Sequence, residues 1–382
     1  MRLALAGGGT GGHLFPGLAV AEEMRRRHPD AAILLMCTER DEVYEATRQA
    51  GIERVAIPCI HTGSLPRRLL ALVPAFWRAW RCLGRFRPDV VAGLGGYGSI
   101  APVLCARLRG IPAILLEQNV IPGRANRVLS RFANEVAAQW EESVPHFRRR
   151  ERVRVTGNPV RGTVARRDRA ACAAALGLDP ALPTLLVMGG SQGAHPLNKL
   201  MAEAVPIMAR SGARVQVIHL AGSADAERLR ATYEQYAMPA RVFAFLADMS
   251  LAYSACDLAF SRAGGTSLAE LTALGIPAIL VPYPHAMDNH QHHNATAIER
   301  HGAAVVLEQA SLSPHRLAHY VAGLLSDPER LAEMGRQSSR AGVPQAAALV
   351  ADRLEALAKT RRRGQRPWPL SSLMRRKEPS DA

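Results

Sequence analysis

Short apolar runs alternate with longer segments of helical periodicity along the chain, and this alternation predicts β-α-β units built around a parallel sheet. The first apolar run, from Arg2 to Ala6, leads into glycines and then into a segment from Pro16 to Arg27 whose apolar residues recur at helical spacing. In the first half we predict further strands at Ala31 to Met36, Val90 to Gly93 and Ala113 to Leu116.

The same alternation begins again near the middle of the chain. An apolar run from Thr184 to Met188 leads into a second glycine loop and a helix from about Asn198. Predicted strands follow at Arg214 to Leu220, Val242 to Leu246, Asp257 to Phe260 and Ala278 to Val281. The pattern therefore predicts an α/β protein with two doubly wound, Rossmann-like domains that face each other across a cleft.

The domain boundary is predicted near the turn sequence Gly157-Asn158-Pro159. This gives a first domain of residues 1–160 and a second domain of residues 161–343. Residues 344–358 are apolar on one face and are predicted to pack back on the first domain. Residues 359–382 carry three prolines and two clusters of basic residues, a composition that predicts a disordered basic tail.

Length and composition agree with two globular domains. The chain has 382 residues, of which 48% are hydrophobic and 21% charged, and its net charge is +15. Such a basic excess is typical of proteins that meet nucleic acid, an anionic membrane surface or anionic substrates. The six cysteines are isolated from one another, which favours a reducing compartment over disulfides or structural zinc. No apolar stretch reaches the ~18 residues of a spanning helix.

A glycine-rich turn directly follows the first predicted strand. It reads Gly7-Gly8-Gly9-Thr10-Gly11-Gly12-His13. Glycines allow the backbone to turn tightly and approach a ligand, and the following helix offers free amides and a partial positive charge to an anion. A turn needed only for packing is the alternative. The spacing does not match G-x-G-x-x-G followed by an acidic residue about 20 positions on, so a nicotinamide site is disfavoured.

Two loops of the second half occupy equivalent places after their strands. One is Gly189-Gly190-Ser191-Gln192-Gly193, in which a serine hydroxyl beside exposed amides suits a phosphate. The other runs from Ser261 to Glu270 and leads into a helix, so that Thr266 and Ser267 could cap it or bind phosphate. Glu270 could accept hydrogen bonds from two ribose hydroxyls, and the alternative is an ordinary capping box of Ser267 with Glu270.

A polar loop from His285 to Asn294 holds four histidines. We interpret it as a loop that hydrogen-bonds sugar hydroxyls, because no carboxylate or cysteine pattern completes a metal site. The chain also lacks an Asp-x-Asp sequence that would suggest a divalent ion on a nucleotide diphosphate. We therefore expect neither a metal nor a cofactor. Gly95-Gly96-Tyr97 and Glu117-Gln118-Asn119 are expected at the same cleft.

The segment from Pro66 to Arg87 holds six arginines and no acidic residue. Its apolar residues recur at helical spacing, which fits an amphipathic element that binds anionic lipid headgroups. The candidate membrane contacts are Leu69, Leu72, Val73, Phe76, Trp77 and Trp80. A helix packed on the sheet with its arginines in solvent is the alternative. Pro74 predicts two short helices in place of one.

Together these motifs resemble those of the peptidoglycan N-acetylglucosaminyltransferases that make lipid II. The resemblance extends over about residues 1 to 355. The motifs that carry it are Gly8 to His13 with Phe15 to Ala19, Gly95 to Tyr97, Glu117 to Asn119, Gly157 to Arg161, Gly189 to Ala194, Arg262 to Glu270 and Asp288 to Asn294. It implies a GT-B glycosyltransferase that transfers N-acetylglucosamine from its UDP form to the C4 hydroxyl of undecaprenyl-linked N-acetylmuramoyl-pentapeptide (lipid I).

The resemblance also implies the residues that contact the donor. They are Thr10, Gly11, Gly12, Asn119, Arg161, Ser191, Leu246, Gly265, Thr266, Ser267, Leu268, Ala269, Glu270 and Gln291. Leu246 would hold the uracil through its backbone and Glu270 the ribose. Ser191, Thr266 and Ser267 would contact the diphosphate, and Asn119 and Gln291 the sugar. Whether His290 or Gln291 contacts the sugar stays open.

The implied reaction inverts the anomeric carbon, so it needs a base near the acceptor hydroxyl. His13 is the candidate, and a structural role in the glycine loop is the alternative. The enzyme would work peripherally at the cytoplasmic face of the bacterial plasma membrane. A UDP-N-acetylglucosamine 2-epimerase and another GT-B transferase acting on a lipid acceptor are the rival functions. A nucleic-acid-binding protein would explain the charge but not three glycine loops, so we expect no nucleic-acid partner.

Overall fold

The computed structural model describes residues 1–9, 11–38, 51–58, 65–190, 193–212 and 214–362, with the side chains of 65–72 and 362 excepted. Thr10 and Ser191, which the sequence predicts at the donor, therefore lie outside the described residues, as does the chain after Arg362.

Two parallel sheets form the centres of two domains, which confirms the predicted fold class. The strands of the first sheet are β1 (Arg2–Gly7), β2 (Ala32–Cys37), β3 (Glu53–Ala56), β4 (Val90–Gly95), β5 (Ala113–Glu117), β6 (Glu135–Ala138) and β7 (Val153–Val155). The strands of the second sheet are β8 (Thr184–Met188), β9 (Gln216–Leu220), β10 (Ala240–Phe243), β11 (Leu258–Ser261), β12 (Ala278–Leu280) and β13 (Ala304–Val306). Within the described residues the strand orders are β3-β2-β1-β4-β5-β6-β7 and β10-β9-β8-β11-β12-β13.

Helices cover both faces of each sheet. Those of the first half are α1 (Gly11–Arg27), α2 (Leu65–Phe86), α3 (Ile100–Leu108) and α4 (Arg124–Leu129). Those that follow are α5 (Arg169–Ala175), α6 (His195–Arg210), α7 (Ala226–Gln235), α8 (Met249–Ala255), α9 (Gly265–Ala273), α10 (His290–Arg300), α11 (Pro314–Leu325), α12 (Pro328–Ala341) and α13 (Ala346–Arg362).

The alternation of side chains along each strand explains why the strands are apolar throughout. Leu3 and Leu5 of β1 pack into the core that α1 and α13 cover, whereas Ala4 and Ala6 pack into the opposite core with α2 and α3. Successive side chains of a strand point to opposite faces, so a strand covered on both sides must be apolar at every position. The strands of the second sheet divide in the same way between two cores.

The C-terminal helix α13 packs on the first domain. Its apolar residues share a core with β1 and α1, and Asp352 accepts a hydrogen bond from Arg27 of α1 at 2.6 Å. The predicted tail begins too early, because α13 continues through Arg362 and the Thr360 hydroxyl donates to the Leu357 carbonyl at 2.7 Å. Lys359 and Arg361 belong to the last turn of this helix, so basic charge alone does not mark where the helix ends.

The prediction of two short helices around Pro74 is wrong. One helix, α2, runs from Leu65 to Phe86 with Pro74 inside it. A proline removes one intrahelical hydrogen bond and strains its turn, but Pro74 is exposed and the helix is anchored beyond it by buried Ala75, Ala79 and Leu83. The packing of these buried residues outweighs the strain that the proline introduces in its turn.

Other differences concern the ends of elements and the shortest strands. Helix α1 begins at Gly11 and not at Pro16, and α6 begins at His195. Strand β10 ends at Phe243, so Leu246 lies in the loop beyond it. Strands β3, β6, β7 and β13 were not predicted. They have three or four residues each, too few to show a periodicity.

Candidate active site

A cavity of about 570 Å³ lies between the two domains, at the carboxyl ends of the strands. The first domain contributes the loops after β1, β4 and β5, and the second contributes the loops after β11 and β12. Its lining includes Gly8, Gly9, Gly12, His13, Gly96, Tyr97, Gln118, Asn119, Ile121, Arg124, Gly264, Gly265, Thr266, Met287, Asp288, His290 and Gln291. Ligands of open α/β sheets bind at this edge.

The first glycine loop packs tightly against the loop after β4. Gly7 and Gly95 have φ angles of 130° and 102°, in a region that favours glycine. A Cβ atom at Gly7 would lie 2.6 Å from the Gly95 carbonyl oxygen, and one at Gly95 would lie 2.7 Å from Cδ2 of His13. The glycines thus allow the half-buried His13 ring, in the first turn of α1, to lie against the β4 loop and line the cavity.

A buried carboxylate organises the loop after β5. Glu117 accepts hydrogen bonds from the Asn119 amide (3.0 Å) and side chain (3.2 Å), from the Gly123 amide (3.0 Å) and from Asn126 (2.9 Å). Burial raises the pKa of Glu117, and these donors act in the opposite direction. The residue therefore holds residues 119 to 126 in place, including the start of α4.

Hydrogen bonds close the two domains on each other at this edge. Asn294 of α10, which is fully buried, accepts from the Val120 amide at 2.9 Å and donates to Oδ1 of Asn119 at 3.0 Å. The Thr266 hydroxyl donates to the Gly12 carbonyl at 2.8 Å. A Cβ atom at Gly265 would lie 2.3 Å from the Gln118 carbonyl oxygen, so only glycine allows this approach.

A second buried carboxylate, Glu270, lies in α9. The Tyr253 hydroxyl donates to its Oε2 atom at 2.6 Å. Burial raises the pKa of Glu270, while this hydrogen bond and the nearby Arg161 lower it. Arg161 lies over the Phe15 ring at 4.5 Å, and its Nε atom is buried without a hydrogen-bond partner among the described residues. Within the described residues the other carboxylate oxygen of Glu270 accepts no hydrogen bond, so it is the atom of this pair that can accept from a polar ligand.

The structure divides the predicted donor residues into three groups. Gly12, Asn119, Gly265, Thr266 and Gln291 line the cavity together with His13, and Gly11 begins α1 beside them.

Leu246, Ser267, Leu268, Ala269, Glu270 and Arg161 lie around α9 and the adjoining core. Leu268 and Ala269 are buried within α9. The third group, Thr10 and Ser191, is not described.

The polar loop before α10 is ordered by its own hydrogen bonds. Oε1 of Gln291 accepts from the Tyr283 amide at 3.0 Å, and the His290 ring is 2.8 Å from the Met287 carbonyl. His290 and Gln291 both line the cavity. Among the described residues, no three His, Cys, Asp or Glu side chains are grouped so as to hold a metal ion.

Sequence reasoning missed three residues of this site. Tyr253 bonds Glu270 from a neighbouring helix, and nothing in its local sequence marks it. Asp288 was quoted within a motif but given no role, and Arg124 belonged to no motif. Both lie in the cavity lining and are bonded to each other across the cleft.

The predicted membrane contacts occupy different sides of α2. Val73 and Trp77 are 66% and 60% exposed, and Arg81 lies over the Trp77 ring at 4.5 Å. Phe76 and Trp80 stack at 6.0 Å and are half-buried against the core. The side chains of Leu69 and Leu72 lie outside the described residues. In the described part of the chain, no helix is long and apolar enough to cross a membrane.

Comparison with known proteins agrees with this architecture. The glycosyltransferase family 28 N-terminal domain matches residues 3–138, and the family 28 C-terminal domain matches residues 184–350. The UDP-N-acetylglucosamine--N-acetylmuramyl-(pentapeptide) pyrophosphoryl-undecaprenol N-acetylglucosamine transferase of Nitratidesulfovibrio vulgaris (strain Hildenborough) is 42% identical over 369 residues, which covers 94% of this chain and 98% of the relative.

Solved structures show the same fold. The crystal structure of Acinetobacter baumannii MurG is similar with a TM-score of 0.74 and 27% identity, covering 93% of this chain and 99% of the other. A putative UDP-N-acetylglucosamine 2-epimerase from Listeria monocytogenes reaches a TM-score of 0.68 at 14% identity, covering 96% and 98%, and shares the fold alone. The similarity in sequence over nearly the whole length decides between them: the chain belongs to the glycosyltransferase family 28 enzymes of the UDP-N-acetylglucosamine--N-acetylmuramyl-(pentapeptide) pyrophosphoryl-undecaprenol N-acetylglucosamine transferase type.

Proposed function

We propose that this enzyme transfers N-acetylglucosamine from UDP-N-acetylglucosamine to the C4 hydroxyl of lipid I, forming lipid II and UDP in peptidoglycan synthesis. The observation that carries this proposal is the 42% identity to a transferase of that name over 94% of the chain. The cavity between the domains, bounded by glycine loops of both, supports it.

In this reaction the acceptor oxygen attacks the anomeric carbon as the bond to the UDP phosphate breaks. The acceptor proton passes to a base, and UDP leaves with the bonding electrons. His13 is the proposed base, because its ring lines the cavity and imidazole accepts protons readily near neutral pH. The amino ends of α1 and α9, with Ser191, Ser267 and Arg161, are proposed to stabilise the charge on UDP.

The donor is proposed to lie mainly on the second domain. The uracil would meet the backbone of Leu246, and the ribose hydroxyls would bind Glu270, whose second carboxylate oxygen accepts no hydrogen bond within the described residues. Thr10, Gly11, Gly12, Gly265 and Thr266 would surround the diphosphate and sugar. Asn119 and Gln291 would contact the sugar, although each already has a protein partner.

Transfer of labelled N-acetylglucosamine from its UDP form to a short-chain lipid I analogue, with a chelator present, tests the proposal. We expect lipid II analogue and UDP in equal amounts. Donor binding without transfer would contradict the proposed acceptor. Interconversion of UDP-N-acetylglucosamine with its 2-epimer under the same conditions would support the epimerase alternative.

The role of His13 has its own test. We expect His13→Ala to lower kcat by about 100-fold or more, because general-base catalysis contributes that much, while the Kd for UDP-N-acetylglucosamine changes little. His28→Ala is the matched control, since His28 lies at the other end of the first helix and pairs with Glu355 at 3.1 Å. Unchanged turnover in His13→Ala would eliminate the base assignment and leave a structural role.

The enzyme is also proposed to lie on the cytoplasmic face of the plasma membrane and to contact anionic lipid through α2. Val73 and Trp77 are exposed, and Arg78, Arg81 and Arg85 are exposed beside them on the same helix. We expect Trp77→Gln to lower the fraction of the protein that co-sediments with phosphatidylglycerol vesicles. Val155→Ser, which replaces an exposed apolar residue on β7, is the control and should leave that fraction unchanged. Equal binding by both variants would contradict the contact.

A further inference from the structure

Two arginines of the first domain hold one aspartate of the second across the cleft. Arg124 approaches Asp288 with both Nη2 (2.8 Å to Oδ1) and Nε (3.3 Å to Oδ2). Arg127, one turn further along α4, donates to Oδ2 at 2.6 Å. The two arginines hold the pKa of Asp288 below its usual range. A single carboxylate therefore receives charged donors from two positions of one helix.

Each side of this ion pair is connected to a part of the site. On the first domain, α4 begins directly after Gly123, whose amide donates to buried Glu117 at 3.0 Å. On the second domain, Asp288 and Asn289 have φ angles of 51° and 52° and lead directly into α10, which begins at His290. Among residues other than glycine, Asp and Asn tolerate this left-handed conformation best, and the Asp288 side chain is held in the turn by Arg124 and Arg127.

We propose that Asp288 is a positioning residue for the transfer: clamped by Arg124 and Arg127, it fixes the turn that presents His290 and Gln291 to the donor sugar when the domains are closed. This inference rests on the proposed function, since it takes the donor to be a nucleotide sugar bound at this cavity. Asp288 acts through the turn and does not react itself.

The residues proposed for the sugar lie apart from those proposed for the ribose and the uracil. Asp288, His290, Gln291 and Arg124 all line the cavity, whereas Glu270 and Leu246, proposed for ribose and uracil, lie around α9 in the second domain. Breaking the clamp should therefore weaken binding of UDP-N-acetylglucosamine and leave binding of UDP unchanged. A general loss of folding would weaken both.

The test measures Kd for both ligands, the donor KM and the unfolding temperature in Asp288→Asn and in the double variant Arg124→Gln/Arg127→Gln. We expect the Kd and KM for UDP-N-acetylglucosamine to rise about five-fold, the equivalent of an ion pair at the upper end of the partly exposed range, with UDP affinity retained. Arg124→Lys/Arg127→Lys keeps the charges and should retain most of the affinity.

Arg131→Gln is the matched control. Arg131 follows α4 on the same segment, is exposed and has no hydrogen bond or ion pair from its side chain to any described residue. Salt sharpens the comparison, because ions screen partly exposed charges. Raising the salt concentration should increase the donor KM more steeply in the wild type and in Arg131→Gln than in Asp288→Asn.

Equal loss of UDP and UDP-N-acetylglucosamine affinity in Asp288→Asn would overturn the positioning role, as would an unchanged Kd for both. The binding measurements do not depend on the acceptor. If the wild type binds the nucleotide sugar but fails to transfer it to the lipid I analogue, the proposed function fails. The Kd values of the variants still decide whether Asp288 positions the turn.

Discussion

Glu117 and Glu270 are both buried carboxylates near the cleft, and burial raises the pKa of each. They differ in how many hydrogen bonds each carboxylate accepts from the protein. Glu117 accepts four hydrogen bonds, three from the loop after β5 and one from Asn126 of α4, whereas within the described residues Glu270 accepts one, from Tyr253. A buried carboxylate whose oxygens are hydrogen-bonded within the protein stabilises the fold. One with an unbonded oxygen can accept hydrogen bonds from a ligand.

The largest difference between them should appear in donor binding. We expect Glu270→Ala to raise the Kd for UDP and for UDP-N-acetylglucosamine about 100-fold, because it removes a charged acceptor of ribose hydroxyls. Thermal unfolding should change little in comparison. Calorimetric titration checks this, and near-wild-type affinity would remove Glu270 from the proposed donor site.

The reverse pattern is expected for Glu117. Glu117→Gln places an amide N–H against loop donors that need an acceptor, so we expect a loss of about 2 kcal/mol or more in the free energy of unfolding. Urea denaturation at neutral pH measures it. Stability equal to the wild type would show that the four hydrogen bonds do not maintain the loop and would break the comparison.

Glu270→Gln should behave oppositely in stability. The glutamine oxygen can still accept the hydrogen bond from Tyr253, and the substitution removes a buried charge. We therefore expect the free energy of unfolding to rise by about 1 kcal/mol at pH 8, as is typical when a residue retained for function is replaced. The sign follows from the raised pKa: the folded protein binds the proton more tightly than the unfolded chain, so Glu270 lowers stability as pH rises above its unfolded pKa.

The gain from Glu270→Gln should therefore shrink as pH falls through the raised folded pKa of Glu270. Urea denaturation of both proteins between pH 8 and the acid limit of folding gives the difference directly. A gain that stays constant with pH would mean that charge burial is not its cause.

The smallest effect is expected for Tyr253→Phe. Removal of the hydroxyl leaves Glu270 without its described donor and free to rotate, and we expect the donor Kd to rise about three-fold to five-fold. Tyr233→Phe is the matched control, because Tyr233 is also buried in the second domain and its hydroxyl bonds His219 at 2.9 Å, away from Glu270. Equal effects in both variants would contradict a specific role for Tyr253.

The sequence predicted the parts of the molecule that depend on short-range pattern. Short apolar runs located β1, β4, β5, β8 and β11. The glycine loops that follow several of them were recognisable because φ angles such as those of Gly7 and Gly95 favour glycine. The resemblance of ordered motifs indicated the family, which the comparisons confirm. The same local rules failed at Pro74, where packing of α2 overrides a proline.

By itself, then, the sequence determined two α/β domains, their glycine loops and the family to which the chain belongs. Only the tertiary structure decided which polar residues meet: Asn294 bonds Asn119 from 175 residues away, and Asp288 bonds Arg124 from 164 residues away. Periodicity reports which face of its own element a side chain occupies. Hydrogen-bond partners across a cleft are set by how whole domains pack, and that arrangement determines whether a buried carboxylate is satisfied by the protein or left for a ligand.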